Sequence, residues 1–184
     1  IIMRKLLILF FFTTISLSNV LANEIDKKLN QLFMDLKISD HTNSFDIEQK
    51  IWKLWSTHPS NEKLTLLLAE GSKAVNNNQL NKAIDIFTKV IELDPNWAEA
   101  WNKRATVFYL IGQYKKSQSD IDKVLELEKR HFGALAGQGL VNIKLKNYEK
   151  AIKSYKQAQE IYPSMQSPKI MIEKIKKLIK KQSV

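Results

Sequence analysis

The stretch Asn96–Tyr114, NWAEAWNKRATVFYLIGQY, decides the fold, because its residue types return 34 positions upstream and 34 positions downstream. Leu67, Trp101 and Leu135 form one column of that register, and Gly71, Ala105 and Gly139 a second. Leu80, Tyr114 and Tyr148 follow, then Ala83, Ser117 and Ala151, then Phe87, Ile121 and Tyr155. Val90, Val124 and Ala158 come next, with Leu93, Leu127 and Ile161, and last Pro95, Lys129 and Pro163. Chance does not hold so many columns in step, so the chain repeats one structural unit. The column chemistry says what that unit is. Small residues stand where two helices must approach closely, aromatic or branched ones fill the gap between successive units, and Pro stops a helix that cannot run through it. A helix pair of this kind leaves one face bare, and stacking about three of them buries it.

A 34-residue period carrying a large residue, a small one, an aromatic, Ala, a second aromatic and Pro resembles the tetratricopeptide repeat. The resemblance places units at 64–97, 98–131 and 132–165. It implies an all-α fold: a right-handed α-solenoid of antiparallel helix pairs whose first helices line a concave groove that holds a peptide or a partner helix. Trp101, Ala105, Tyr114, Gly139, Tyr148, Ala151, Pro95 and Pro163 stand in its structural slots. Its groove slots hold Leu68, Ser72 and Val75, then Asn102, Thr106 and Tyr109, then Ala136, Leu140 and Ile143. Chaperone-tail binders of the family place Lys, Arg and Asn in such slots to clamp a carboxylate. Only Asn102 fits here, so a two-carboxylate clamp is not expected and the groove is instead rather apolar. Two positions depart from the pattern. Arg104 replaces the common Leu, with a stem that can pack while its head reaches a neighbour, and Lys129 replaces Pro, which predicts a less abrupt turn between the second and third units. The segments WNKRA (Trp101–Ala105), RHFGAL (Arg130–Leu135) and IWKLW (Ile51–Trp55) resemble those of a bacterial family of exported tetratricopeptide repeat proteins. Trp101, Asn102, Arg104, Arg130, His131 and Phe132 are then candidates for a shared surface or, as the packing slots of Trp101 and Phe132 favour, a structural knot at the junction between units.

Two glycines inside the third unit's first helix, Gly133 and Gly137, each cost roughly 1 kcal/mol against Ala. Either helices pack tightly there or something passes close to the start of that helix. An apolar helix in the groove is one occupant, supplied by a partner or by the chain's own Glu24–Leu36.

The flanks read as follows. Met3, Arg4 and Lys5 precede an apolar run from Leu6 to Phe12, and Val20, Leu21 and Ala22 suit a cleavage site, so 1–22 reads as a secretory signal peptide cut after Ala22. A periplasmic location follows; an uncleaved inner-membrane anchor is the alternative. Residues 23–60 read as a divergent helix pair. Ile25, Leu29, Leu32, Phe33 and Leu36 share one face, ISDHTNS (Ile38–Ser44) is the break with Ser44 or Asn43 as cap, and Trp52 and Trp55 belong to the core. Residues 166–184 hold a capping helix over Lys169–Lys181, apolar through Ile170, Met171 or Ile172, Ile175, Leu178 and Ile179, with Lys169, Lys174, Lys176, Lys177, Lys180 and Lys181 on the other face. Such a basic amphipathic helix also suits weak contact with a membrane or an acidic protein.

The formal charge of +10 falls to +8 without Arg4 and Lys5, and the lysines are scattered over every helix as solvated faces are. With no Cys, disulfides and thiol catalysis are excluded. His41, His58 and His131 match no zinc spacing and read as satisfied or solvated. Asp120 and Asp122 read as a helix exterior without a pocket, and no GxSxG elbow or P-loop occurs. GALAGQG (Gly133–Gly139) lies inside a repeat helix rather than after a strand, as a nucleotide loop would. The expectation is therefore a non-catalytic interaction scaffold of the cell envelope without a cofactor or metal. Its partner is a protein or peptide, and export makes nucleic acid an unexpected one.

Overall fold

A computed structural model describes residues 24–182, so the expected leader at 1–22 lies outside the described residues. The described chain forms α1 (24–38), α2 (His41–Trp55), α3 (Glu62–Asn76), α4 (Leu80–Leu93) and α5 (Ala98–Leu110). It continues as α6 (Tyr114–Leu127), α7 (Phe132–Lys144), α8 (Tyr148–Ile161) and α9 (Gln166–Gln182). No strand occurs among the described residues. Three antiparallel pairs, α3–α4, α5–α6 and α7–α8, repeat the 34-residue period; α1–α2 precede them and α9 packs on α8. The result is an all-α solenoid.

The turn inside each pair is the same object three times. Asn78, Gly112 and Lys146 take left-handed backbone, with φ of 57°, 76° and 60°. The amides that follow, Gln79, Gln113 and Asn147, each donate to a carbonyl five residues back, at 2.8 Å in all three cases. This helix-ending motif satisfies carbonyls that the helix leaves bare. Glycine supplies the left-handed residue without strain only in the middle unit.

Packing between the paired helices follows the columns. A Cβ on Gly139 would lie 2.6 Å from the Tyr155 ring, and one on Gly71 would collide with Phe87. Where Ala105 supplies that Cβ, the facing residue shrinks to Ile121. Ring and methyl trade places, as close packing requires.

Several local expectations need correction. Asp40, not Asn43 or Ser44, caps α2: its Oδ1 accepts the Asn43 N–H at 2.8 Å. An ionised carboxylate one turn earlier satisfies the free amide and starts the helix sooner. Ser44 is thereby buried inside α2. The turn after α6 is no looser than the one after α4, since Glu128 and Asp94 close their helices with nearly the same backbone, φ −139° and −144°, ψ 96° and 93°. Glu128 accepts the Arg130 N–H and guanidinium there, at 2.9, 2.9 and 2.8 Å, which does the work expected of proline. α9 starts three residues early, because Pro168 is tolerated in a first turn. Ile172 and Ile175 face the core, whereas Ile170 and Leu178 remain exposed. Asp120 is not exterior but buried, because Arg104 reaches it across the pair.

Candidate functional site

The concave side is built by α3, α5 and α7. On α5, Asn102, Thr106 and Tyr109 are spaced to share one face. They line a depression of about 80 Å³ with Gly133, Gly137 and Leu140 of α7. Ala105, Ala134 and Ile121 also line it and are buried, so it is largely apolar. Tyr109 is held by Tyr114, ring centroids 5.6 Å apart, and the Thr106 hydroxyl donates to Asn102 O at 3.0 Å. A second depression, about 160 Å³, lies between α3 and α5 and is lined by Ser72, Val75, Lys103 and Thr106.

Three other groove slots, Leu68, Ala136 and Ile143, line neither depression. Leu68 is 2% exposed and sits in the core with Leu64 and Phe87, because the α3–α4 pair closes over it. Ala136 and Ile143 pack against the cluster of Tyr155, Ile172 and Ile175, the seam under α9. Leu140 is exposed. Among the structural slots, Ala105 and Ala151 are buried, Tyr148 joins the last seam, and Pro95 and Pro163 stand exposed in the turns after α4 and α8. Trp101 donates its Nε1–H to Pro95 O at 2.9 Å.

The two glycines of α7 part company. A Cβ on Gly133 would lie 2.5 Å from Trp52 Cη2, so this glycine admits the α2 ring. A Cβ on Gly137 would meet only Ile121 Cδ1 at an ordinary 3.7 Å. Packing therefore requires the first glycine and not the second, which leaves the depression open.

Trp52 belongs to a knot where α1 and α2 dock. Leu29, Leu32, Phe33 and Leu36 of α1 close over Ile51, Trp55, Phe132 and Tyr162. His131 is fully buried, its ring stacked on Trp55 at 4.0 Å and 8°. Its Nδ1 accepts the Ala134 N–H at 3.1 Å and so caps α7, and its Nε2 contacts Glu99 Oε2 at 3.1 Å. Asn102 also donates to Glu99 Oε2, at 2.9 Å, and Lys103 Nζ lies 3.1 Å from Oε1. Burial pushes the Glu99 carboxyl up, yet the His131 hydrogen bond and Lys103 outweigh it and hold the group below its ordinary 4.5. His58 repeats the device before α3, two units earlier: Nδ1 accepts the Ser60 and Asn61 N–H groups and Nε2 contacts Asp94 at 2.8 Å. Arg130 lies over Phe33 at 4.5 Å and donates to Asn30 at 2.6 Å, tying α1 to the turn before α7. Of the expected knot residues, Asn102, Arg130, His131 and Phe132 are thus brought together, whereas Trp101 turns to Pro95 and Arg104 to Asp120 and Thr88. Glu99, which organises them, carries no sequence signal beyond an acid in a helix's first turn.

Comparison with known proteins adds the family. The tetratricopeptide repeat profile matches residues 67–96, 98–131 and 132–165. The chain belongs to the tetratricopeptide repeat family. A repeat-containing protein of Rhizobium etli is 35% identical over 139 residues, 75% of this chain and 68% of that protein. The Sgt2 repeat domain from Aspergillus fumigatus superposes with a TM-score of 0.63 at 22% identity, covering 67% of this chain and 83% of that one. The first repeat domain of Spaghetti (RPAP3), solved bound to the HSP90 peptide SRMEEVD, gives 0.62 at 23% identity, covering 64% and 94%. Both structures share the fold with this tetratricopeptide repeat protein. Among its described residues no helix is long and apolar enough to cross a membrane, and no three His, Asp or Glu side chains gather as a metal site would need.

Proposed function

We propose that this tetratricopeptide repeat protein is a non-catalytic interaction module that seats an apolar side of a partner peptide or helix between α5 and α7. One observation carries the reading. Gly137 weakens its helix by roughly 1 kcal/mol, no neighbour demands it, and it keeps open an apolar depression flanked by Asn102, Thr106, Tyr109 and Leu140. Repeat domains of the same fold hold peptides, as the Spaghetti domain does with SRMEEVD. An acidic tail of that kind suits this groove poorly. Asn102 and Lys103, the donors nearest to hand, already serve the chain's own buried Glu99. The N-terminal pair docks beside the groove, and no described residue of α1 or α2 lines either depression. With 1–22 as an export signal cut after Ala22, the module works in the periplasm. Capture from envelope extract with the intact protein and with Thr106→Glu/Leu140→Glu tests the reading. A partner retained by the first and lost by the second supports it; identical partners from both refute groove binding.

A second surface rests on its own observation. Ile170 and Leu178 are exposed on the same side of α9 as Lys174, Lys177 and Lys181. This pairing of apolar and basic groups suits weak contact with anionic lipid or an acidic protein. Such contact weakens steeply with salt; vesicle binding that ignores salt rules it out.

A further inference from the structure

The repeat register exposes a slot that one unit fills and the next leaves empty. In the middle unit, Arg104 of α5 donates to Asp120 of α6 at 2.8 and 2.9 Å and to Thr88 of α4 at 3.0 Å, its guanidinium 5.6 Å from the Phe108 ring centre. Moving 34 positions on, Thr88 becomes Asp122, Arg104 becomes Gln138, Asp120 becomes Ser154 and Phe108 becomes Asn142. Gln138 bridges the same two helices, accepting from Ser154 at 2.8 Å and approaching Asp122 at 3.4 Å. It is shorter than arginine, uncharged, and has no ring beneath it. The space that the guanidinium and the phenyl group take in the middle unit opens here as a cleft of about 440 Å³ between α6 and α8.

Its lining is polar and its walls differ in charge. On the α6 wall Asp122 receives only carboxamide N–H groups, Gln118 at 2.7 Å and Gln138 at 3.4 Å. On the α8 wall stand Lys150 and Lys153, both exposed. The floor between them is carboxamide, with buried Asn142 donating to Gln118 Oε1 at 3.3 Å and to Gln138 O at 2.9 Å. A cation alone would meet two lysines and an anion alone would meet Asp122. A ligand bearing both charges satisfies both walls, and carboxamides supply donors and acceptors along its length.

We propose that this cleft binds a free amino acid of the arginine type. The guanidinium lies against Asp122, which stands where the preceding unit has Thr88 as a partner of Arg104, and the carboxylate lies toward Lys150 and Lys153. Planar bidentate pairing favours guanidinium over ammonium at the Asp122 end. This site is on the second-helix side of the solenoid and stands independently of the groove.

Titration of the full chain with L-arginine, followed by the side-chain NH2 resonances of Gln118, Gln138 and Asn142, tests the assignment. Saturable shifts are expected. Acetyl-arginine amide, which carries the guanidinium as a peptide would but no carboxylate, is expected to bind at least tenfold more weakly, and so is Asp122→Asn toward arginine. Gln138→Arg refills the slot from within and should abolish the shifts; if that variant melts early, the solvent-facing Asp122→Asn decides alone. No saturable shift with arginine, equal binding of the blocked form, or unchanged affinity in Asp122→Asn each overturns the proposal.

Discussion

The two glycines of α7 have the same helical backbone and opposite surroundings, so alanine at each should move stability in opposite directions. At Gly137 the new methyl meets only Ile121 Cδ1 at 3.7 Å. Nothing offsets the gain in helix propensity, about 1 kcal/mol, which raises Tm by ~2–4 °C in a chain of this size. At Gly133 the methyl would stand 2.5 Å from Trp52 Cη2 and 2.9 Å from Cζ2. Trp52 is wedged against Trp55, His131 and Phe132 at 5.3, 5.5 and 5.5 Å, so it has little room to yield. Overpacking of this kind costs about 1–3 kcal/mol, and subtracting the propensity gain leaves a net loss of up to ~2 kcal/mol. Urea denaturation followed by far-UV circular dichroism measures both, and near-UV dichroism reports the displaced indole in Gly133→Ala alone. Partner binding adds a third readout, because Gly137→Ala stabilises the protein while filling the depression. If Gly137→Ala destabilises, or Gly133→Ala stabilises as much as Gly137→Ala, the division of the two glycines into packing and opening is wrong.

Two further expectations follow from the core. Gly139→Ala should cost up to ~2 kcal/mol, the overpacking against buried Tyr155 less the gain in helix propensity. Adding Tyr155→Ile recreates the Ala105–Ile121 pairing of the middle unit, so a double-mutant cycle should show favourable coupling of ~1 kcal/mol or more; additive costs would refute the reciprocal packing. Glu99 has a folded-state pKa below its ordinary 4.5, so its stabilisation is complete above about 4.5 and is lost as pH falls through the folded value. The stability gap between the native protein and Glu99→Gln should therefore be widest near neutral pH and shrink as the pH is taken progressively below 4.5. A gap that does not change with pH would show that the carboxylate charge plays no part.

The repeat was legible because it is local chemistry copied at fixed spacing. Eight columns returned every 34 residues, and each unit meets only its neighbours, so period alone fixes the stack. Arg104 was legible only as a stem that packs and a head that reaches a neighbour; its partners, Asp120 of α6 and Thr88 of α4, belong to two successive units. What escaped the sequence depends on contacts between distant segments. Glu99 looks like an ordinary first-turn acid until His131, 32 positions after it, reaches it with its ring stacked on Trp55, 44 positions before it. Leu68, Ala136 and Ile143 sit in groove slots by register and are covered by neighbouring helices that the register does not mention. Asp120 read as exterior from its place on α6 because helix position does not reveal a guanidinium arriving from α5. The emptied slot between α6 and α8 lies between these extremes, since the period pairs Arg104 with Gln138 while only the fold shows the space left behind.

The central claim is that the face between α5 and α7 holds a partner. Site-specific photo-crosslinking in living cells tests it directly, with the reactive side chain at Thr106 in the groove and, in a second strain, at exposed Lys89 on α4. The account predicts a discrete protein adduct from position 106 that Leu140→Glu abolishes, and none from position 89. Adducts from position 89 alone, or a position-106 adduct indifferent to Leu140→Glu, would contradict it.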